Sequence, residues 1–199
     1  MEILRVFART RKSVGARCFF GVWWIICVLL FFCGRHLPAQ TTIPAEYQIK
    51  AVFLFNFTQF VEWPTNAFAD AQSPLVIGVL GEDPFGAYLE ETVRGEKAND
   101  HPLTVQRFRR VEDITTCHVL FISRSEAARF DQIFASLKNR HTLTVGDVDG
   151  FARSGGIIRF LTEKNKIRLR INLEAAKAAN LTISSKLLRP AEIVAPGKD

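Results

Sequence analysis

A single three-layer α/β domain, with a mixed, mostly parallel sheet and an antiparallel hairpin near its C-terminus, is the fold predicted by this 199-residue chain. Three observations carry the prediction. Short apolar runs, Leu75-Val-Ile-Gly-Val-Leu80 and Cys117-His-Val-Leu-Phe-Ile122, suit strands buried on both faces. Helical stretches separate the strands, which implies parallel pairing through right-handed crossovers. After Gly155-Gly156 the pattern changes, and Ile157–Thr162 and Ile167–Ile171 flank Glu163–Lys166 as a hairpin should.

Element by element, Ala45–Trp63 reads as a helix stopped by Pro64. At about 100° per residue, Ile49, Val52, Phe53, Leu54, Phe57, Phe60, Val61 and Trp63 share one very wide apolar face. Gln48, Thr58, Gln59 and Glu62 lie opposite, with Phe55 the odd aromatic among them, and Asn56 falls on the apolar side. An arc this wide implies burial on two sides or contact with a partner. Gly81–Gly86 turns the chain after the first strand, and Pro84 starts a helix to about Val93. Leu103–Phe108 alternates as a strand. Ser123 and Glu126 have capping-box spacing, opening a helix to about Lys138 with Phe130, Ile133, Phe134 and Leu137 inward. His141–Val145 follows as a strand. In the hairpin Ile167, Leu169 and Ile171 face in while Arg168 and Arg170 face out. Asn172 caps a helix through about Ala179, and Leu181–Leu188 suggests further helix before Pro190.

Ahead of this domain stands an export signal. Arg5, Arg9, Arg11, Lys12 and Arg17 precede an uninterrupted apolar run from Cys18 to Gly34, followed by Arg35-His-Leu-Pro-Ala-Gln40. The expected division is residues 1–39 as signal peptide, cleaved after Ala39, and 40–199 as a periplasmic domain. The run is at the lower limit for a spanning helix, so an uncleaved anchor is the alternative. Phe32 is too bulky for a lipoprotein signal, and the basic stretch has no Arg-Arg pair for twin-arginine export. The ends, Gln40–Pro44 and Ala195–Asp199, read as loose tails.

Cleavage changes the charge argument. The whole chain has 26 Lys+Arg and 20 Asp+Glu, net +6. Residues 1–39 hold six of the basic residues and one acidic residue, so the remainder is close to neutral. The basic isoelectric point therefore belongs mainly to the signal and gives no support for nucleic-acid binding. Cys18, Cys27 and Cys33 also leave with the signal. Cys117 alone remains, and one cysteine cannot form an internal disulfide. Roughly 160 residues suffice to fold on a hydrophobic core alone.

No catalytic constellation is visible. His101, His118 and His141 are scattered, without the spacing of a metal site. Cys117 and His118 would point to opposite sides of a strand, so a buried apolar thiol is the ordinary reading. Ser184-Ser185-Lys186 lacks Ser-x-x-Lys spacing and reads as a helix start. Gly81–Gly86 lacks the fingerprint of a dinucleotide or phosphate loop. Asp147 and Asp149 read as a polar turn rather than a calcium loop. Arg153, Arg159, Arg168 and Arg170 read as a solvated face, with an anionic small-molecule site as the minority alternative. No metal, cofactor or catalytic residue is expected.

Several blocks in register are similar to the YfiR-like family of exported bacterial proteins: Lys50–Pro64, Ile77–Gly86, Cys117–Ser123, Leu143–Asp147 with Phe151, Gly155–Phe160, and Ile171-Asn-Leu to Ser184–Leu188. They span nearly all of 45–194. The resemblance implies a periplasmic α/β domain that regulates rather than catalyses. The best-understood members bind the periplasmic sensor part of a membrane-bound diguanylate cyclase and hold cyclic-di-GMP synthesis low, which affects biofilm formation. Others occur beside sensor kinases and outer-membrane receptors. This chain lacks the paired cysteines of the type member, so the resemblance does not carry over a disulfide switch, and Pro190 interrupts the usual helix end.

The expectation is thus a non-enzymatic periplasmic repressor that touches a membrane-bound diguanylate cyclase or sensor kinase. It meets the membrane only through its signal segment, binds no nucleic acid, and leaves a homodimer open. Phe55, Gln59 and Glu62 are the expected partner contacts. The alternative is a module binding a small anion or nucleotide at the carboxyl ends of the strands, near Gly81–Gly86, Ser123 and Gly146.

Overall fold

The computed structural model describes residues 44–164 and 166–194. The expected signal segment, its cleavage point and both tails lie outside the described residues except for Pro44. The chain runs α1 (Ala45–Phe60), β1 (Val61–Glu62), β2 (Leu75–Leu80), α2 (Tyr88–Val93), β3 (Lys97–Ala98), β4 (His101–Phe108) and β5 (Val119–Ile122). It continues through α3 (Phe130–Leu137), β6 (Leu143–Gly146), β7 (Ile158–Glu163), β8 (Lys166–Asn172), α4 (Leu173–Ala178), β9 (Thr182–Ile183), α5 (Ser185–Leu188) and β10 (Glu192–Val194).

Eight strands form one sheet in the order β10-β8-β7-β6-β5-β2-β4-β3. The central pairs from β4 to β7 are parallel, while β7 and β8 form the antiparallel hairpin, paired from Ile158↔Ile171 to Glu163↔Lys166. This is the mixed, mostly parallel α/β architecture the sequence predicts. Alternation along β5 divides the core. Val119 and Phe121 join α1, α2 and the hairpin on one face, whereas Leu120 and Ile122 join α3 and Phe151 on the other. A sheet covered on both faces needs apolar side chains on both, which is why β2 is buried at every position.

Several boundaries differ from the sequence reading. α1 ends at Phe60, because Val61 and Glu62 leave the helix to pair with Ile183 and Thr182 of β9. β9 in turn occupies part of the expected second C-terminal helix, which shrinks to α5 with Ser184 as its N-cap. Pro84 does not start α2; Asp83 accepts from the Phe85 amide in a turn first. The capping box does not form. Ser123 makes no side-chain cap and Arg124–Arg129 is a 3-10 stretch before α3. Asn172 does cap α4, accepting from the Ala175 amide at 3.0 Å.

Candidate functional site

α1 lies across the sheet with Lys50, Ala51, Leu54, Phe57 and Thr58 buried. That face is rotated from the one the apolar pattern predicts. Ala51 and Thr58 are small enough for the helix to approach the sheet closely, and the Thr58 hydroxyl is satisfied within the helix by donating to the Phe55 carbonyl at 2.7 Å. The rotation leaves Ile49 and Val52 outside, 50% and 41% exposed. With Gln59 they occupy an outward arc of about 80° at about 100° per residue.

The three expected contacts are placed differently. Phe55 is half-buried and packs against the core. Gln59 is exposed and donates from Nε2 to the Lys97 carbonyl at 2.9 Å. Glu62 is exposed on β1, opposite Thr182. Ile49 and Val52 belong to the wide apolar face for which the sequence left burial or partner contact open. The signal for them was Lys50, which no amphipathic pattern explains and which turns out to define the buried side.

Lys50 is the centre of an internal polar network. Its side chain is 3% exposed, and Nζ lies 2.6 Å from both Asp147 Oδ2 and Glu46 Oε1. The Tyr47 hydroxyl donates to the same Asp147 oxygen at 2.9 Å. Burial, reinforced by the Asp147 carboxylate, pushes the Tyr47 phenol up to about 12. The Lys50 hydrogen bond holds the Glu46 carboxyl below its ordinary value. Asp147, read from sequence as part of a polar turn, is therefore a buried counter-ion joining α1 to the carboxyl end of β6. Its other oxygen, Oδ1, is buried with no hydrogen-bond partner among the described residues. Arg159, read as part of a solvated face, is buried and pairs with Asp149. Around this network opens a cleft of about 610 Å³, into which Arg124 also projects.

The crevice expected near Gly81 is filled from within. A Cβ on Gly81 would meet Ser125 Oγ at 2.4 Å and Glu126 Cγ at 2.8 Å. Ser125 Oγ already accepts the Glu82 amide at 3.0 Å. Gly146 is likewise backed by the Phe151 ring, 2.5 Å from where its Cβ would stand. Cys117 and His118 do not face each other. The thiol is buried and donates to the Val119 carbonyl at 3.2 Å, and burial pushes it up to about 12. His118 Nδ1 accepts the Val76 amide at 3.0 Å while Nε2 faces the Ala67 carbonyl at 3.2 Å. Burial lowers the His118 imidazolium from its ordinary value.

Beside Glu62 a second depression of about 580 Å³ has Trp63, Phe68 and Leu75 among its apolar lining and Glu62, Asp70, Asn99 and His101 among its polar lining. The Phe68 ring is sandwiched between two imidazoles, 3.8 Å from His101 and 4.5 Å from His118, centroid to centroid.

What these elements define is an α/β domain whose first helix carries an outward apolar face. The chain belongs to the YfiR/HmsC-like family (DUF4154), which matches residues 47–192. No curated protein matches it. Among solved structures, a conserved domain protein from Vibrio cholerae O1 biovar eltor is similar at 14% identity and a TM-score of 0.45, covering 59% of this chain and 54% of that one. The ABC domain from Streptococcus pneumoniae, solved in complex with L-Trp, is similar at 13% identity and a TM-score of 0.48, covering 74% of this chain and 60% of that one. The chain thus spans less than two thirds of either. No helix among the described residues is long and apolar enough to cross a membrane.

Proposed function

We propose that this domain binds the periplasmic sensor part of a membrane signalling protein, a diguanylate cyclase or a sensor kinase, and holds it in its inactive state. The observation that carries the reading is the exposed pair Ile49 and Val52, on an α1 face that continues into Gln59 and then Glu62. Isolated exposed apolar residues are ordinary, but two on one helix arc, beside the half-buried Phe55, form a contact stripe. Repression then works by population shift: the domain favours the inactive sensor by no more than its differential affinity for the two states. With a cyclase as partner, the result is low cyclic-di-GMP and reduced biofilm.

The test is cross-linked capture from bacterial membranes with the full chain as bait. Wild type recovers a cyclase or kinase ectodomain, and Ile49→Asp/Val52→Asp, folded by circular dichroism, loses it. Equal capture by both proteins overturns the reading. A second reading, a module for a small anion, rests on Arg124, which projects into the Lys50–Asp147 cleft without an ion-pair partner among the described residues. A saturable thermal shift with inorganic phosphate or nucleotides, lost in Arg124→Ala, favours it.

A further inference from the structure

We propose that the depression beside Glu62 receives a basic side chain, Arg or Lys, presented by the partner protein. This rests on the reading that the partner is a protein, and it specifies the chemistry by which that protein is recognised. The depression begins where the outward face of α1 ends, since Glu62 follows Val61 at the helix exit and lines it. Its far wall is the β3–β4 connection, where Asn99 and Asp100 both hold positive φ, 48° and 70°, in the tight two-residue turn that joins paired Ala98 and His101.

The charge pattern selects the occupant. Glu62 has no ion-pair partner among the described residues, and the one basic residue lining the depression is His101, its ring stacked on Phe68. Asp70 Oδ1 accepts the Gln72 amide at 2.8 Å, and this bond, with one from the Ser73 side chain, holds the carboxyl below its ordinary value. Two carboxylates over an apolar floor repel an anion. A purely apolar side chain would strip water from both without replacing it. A basic side chain satisfies both requirements. Its methylene stem lies along Trp63, Ala69 and Ala71, and its cationic head reaches the carboxylates. The volume, about 580 Å³, holds a long side chain together with part of the segment that carries it.

Trp63 supplies the readout. In the full chain the other tryptophans are Trp23 and Trp24, so Trp23→Phe/Trp24→Phe leaves one indole. Titration with N-acetyl-arginine amide changes Trp63 fluorescence saturably, N-acetyl-citrulline amide of the same shape but no charge does not, and Glu62→Gln/Asp70→Asn weakens the response about three- to tenfold, as loss of two partly exposed ion pairs should. Equal response to the citrulline amide, or no response to either, overturns the proposal. In membrane capture, Glu62→Gln/Asp70→Asn recovers less partner than wild type. If that variant captures fully while Ile49→Asp/Val52→Asp captures nothing, the depression is not the recognition site and the α1 interface stands. If neither variant alters capture, both readings fall.

Discussion

Gly156 is where a single methyl group decides stability. A Cβ there would stand 2.1 Å from Phe151 Cε1, and Gly146 presses on the same ring from another side. Phe151 is fully buried and cannot retreat, so Gly156→Ala should destabilise by about 1–3 kcal/mol, read as a lower denaturant midpoint at unchanged slope. Lys50 makes a different demand. Lys50→Met strands the Asp147 carboxylate and should cost about 3–5 kcal/mol, whereas Lys50→Met/Asp147→Leu should recover most of the loss. His118 gives stability a pH dependence. Its imidazolium is disfavoured by burial, so its folded pKa lies below the ordinary 6.5. As pH falls through 6.5 the unfolded chain takes up a proton that the folded chain refuses, and stability declines until the folded ring itself titrates. Between about pH 7.5 and 5 the loss should be smaller in His118→Gln than in wild type. The burial of Cys117 was legible in the sequence; that of Lys50 was not. A lysine that buries itself does so because of a carboxylate 97 positions away, and no local pattern records that.

At the scale of elements, strands were legible and helix faces were not. β2, β5, β6 and the β7–β8 hairpin follow from apolar runs and alternation, because a two-residue period leaves little freedom of assignment. α1 was read with its length nearly right and its face turned, because so many of its residues are apolar that periodicity has little to select. Packing chose the side carrying Ala51 and Thr58, which lets the helix sit close on the sheet. The choice is testable by contrast. Val52→Ser should change stability by no more than about 0.5 kcal/mol, the range for surface positions, although Val52 lies on the apolar face of the sequence pattern. Thr58→Lys should abolish or severely weaken folding, although the sequence puts Thr58 outside, since it forces a charge beneath the helix. The failed capping box has a similar cause. Ser125 and Glu126 are drawn toward Gly81, and a first turn that reaches sideways cannot also close on itself.

For the molecule as a whole, the family and the fold were both legible, the first from blocks in register and the second from element order. The exposure of Ile49 and Val52 was not legible, because it depends on which side of α1 the sheet takes up. Without cysteine pairs, the domain relies on its two apolar layers, one under α1 and the other under α3. Its thermal midpoint should therefore be the same with and without reductant. Cys117, buried with its thiol pushed up to about 12, should resist alkylation until the domain opens. Either a reductant-sensitive midpoint or rapid labelling of native protein would contradict this account.

The pairing of Val61 with Ile183 also sets a schedule. A polypeptide emerges N-terminus first, whether from the ribosome or through a translocation pore. α1 therefore arrives early, yet its exit strand has nothing to hold until Thr182 and Ile183 follow, well over a hundred residues later. The helix that carries Ile49 and Val52 is thereby seated only once β9 has been delivered. A copy truncated or stalled before β9 would lack this anchorage, and a protease should cut its first helix sooner than that of the longer chain.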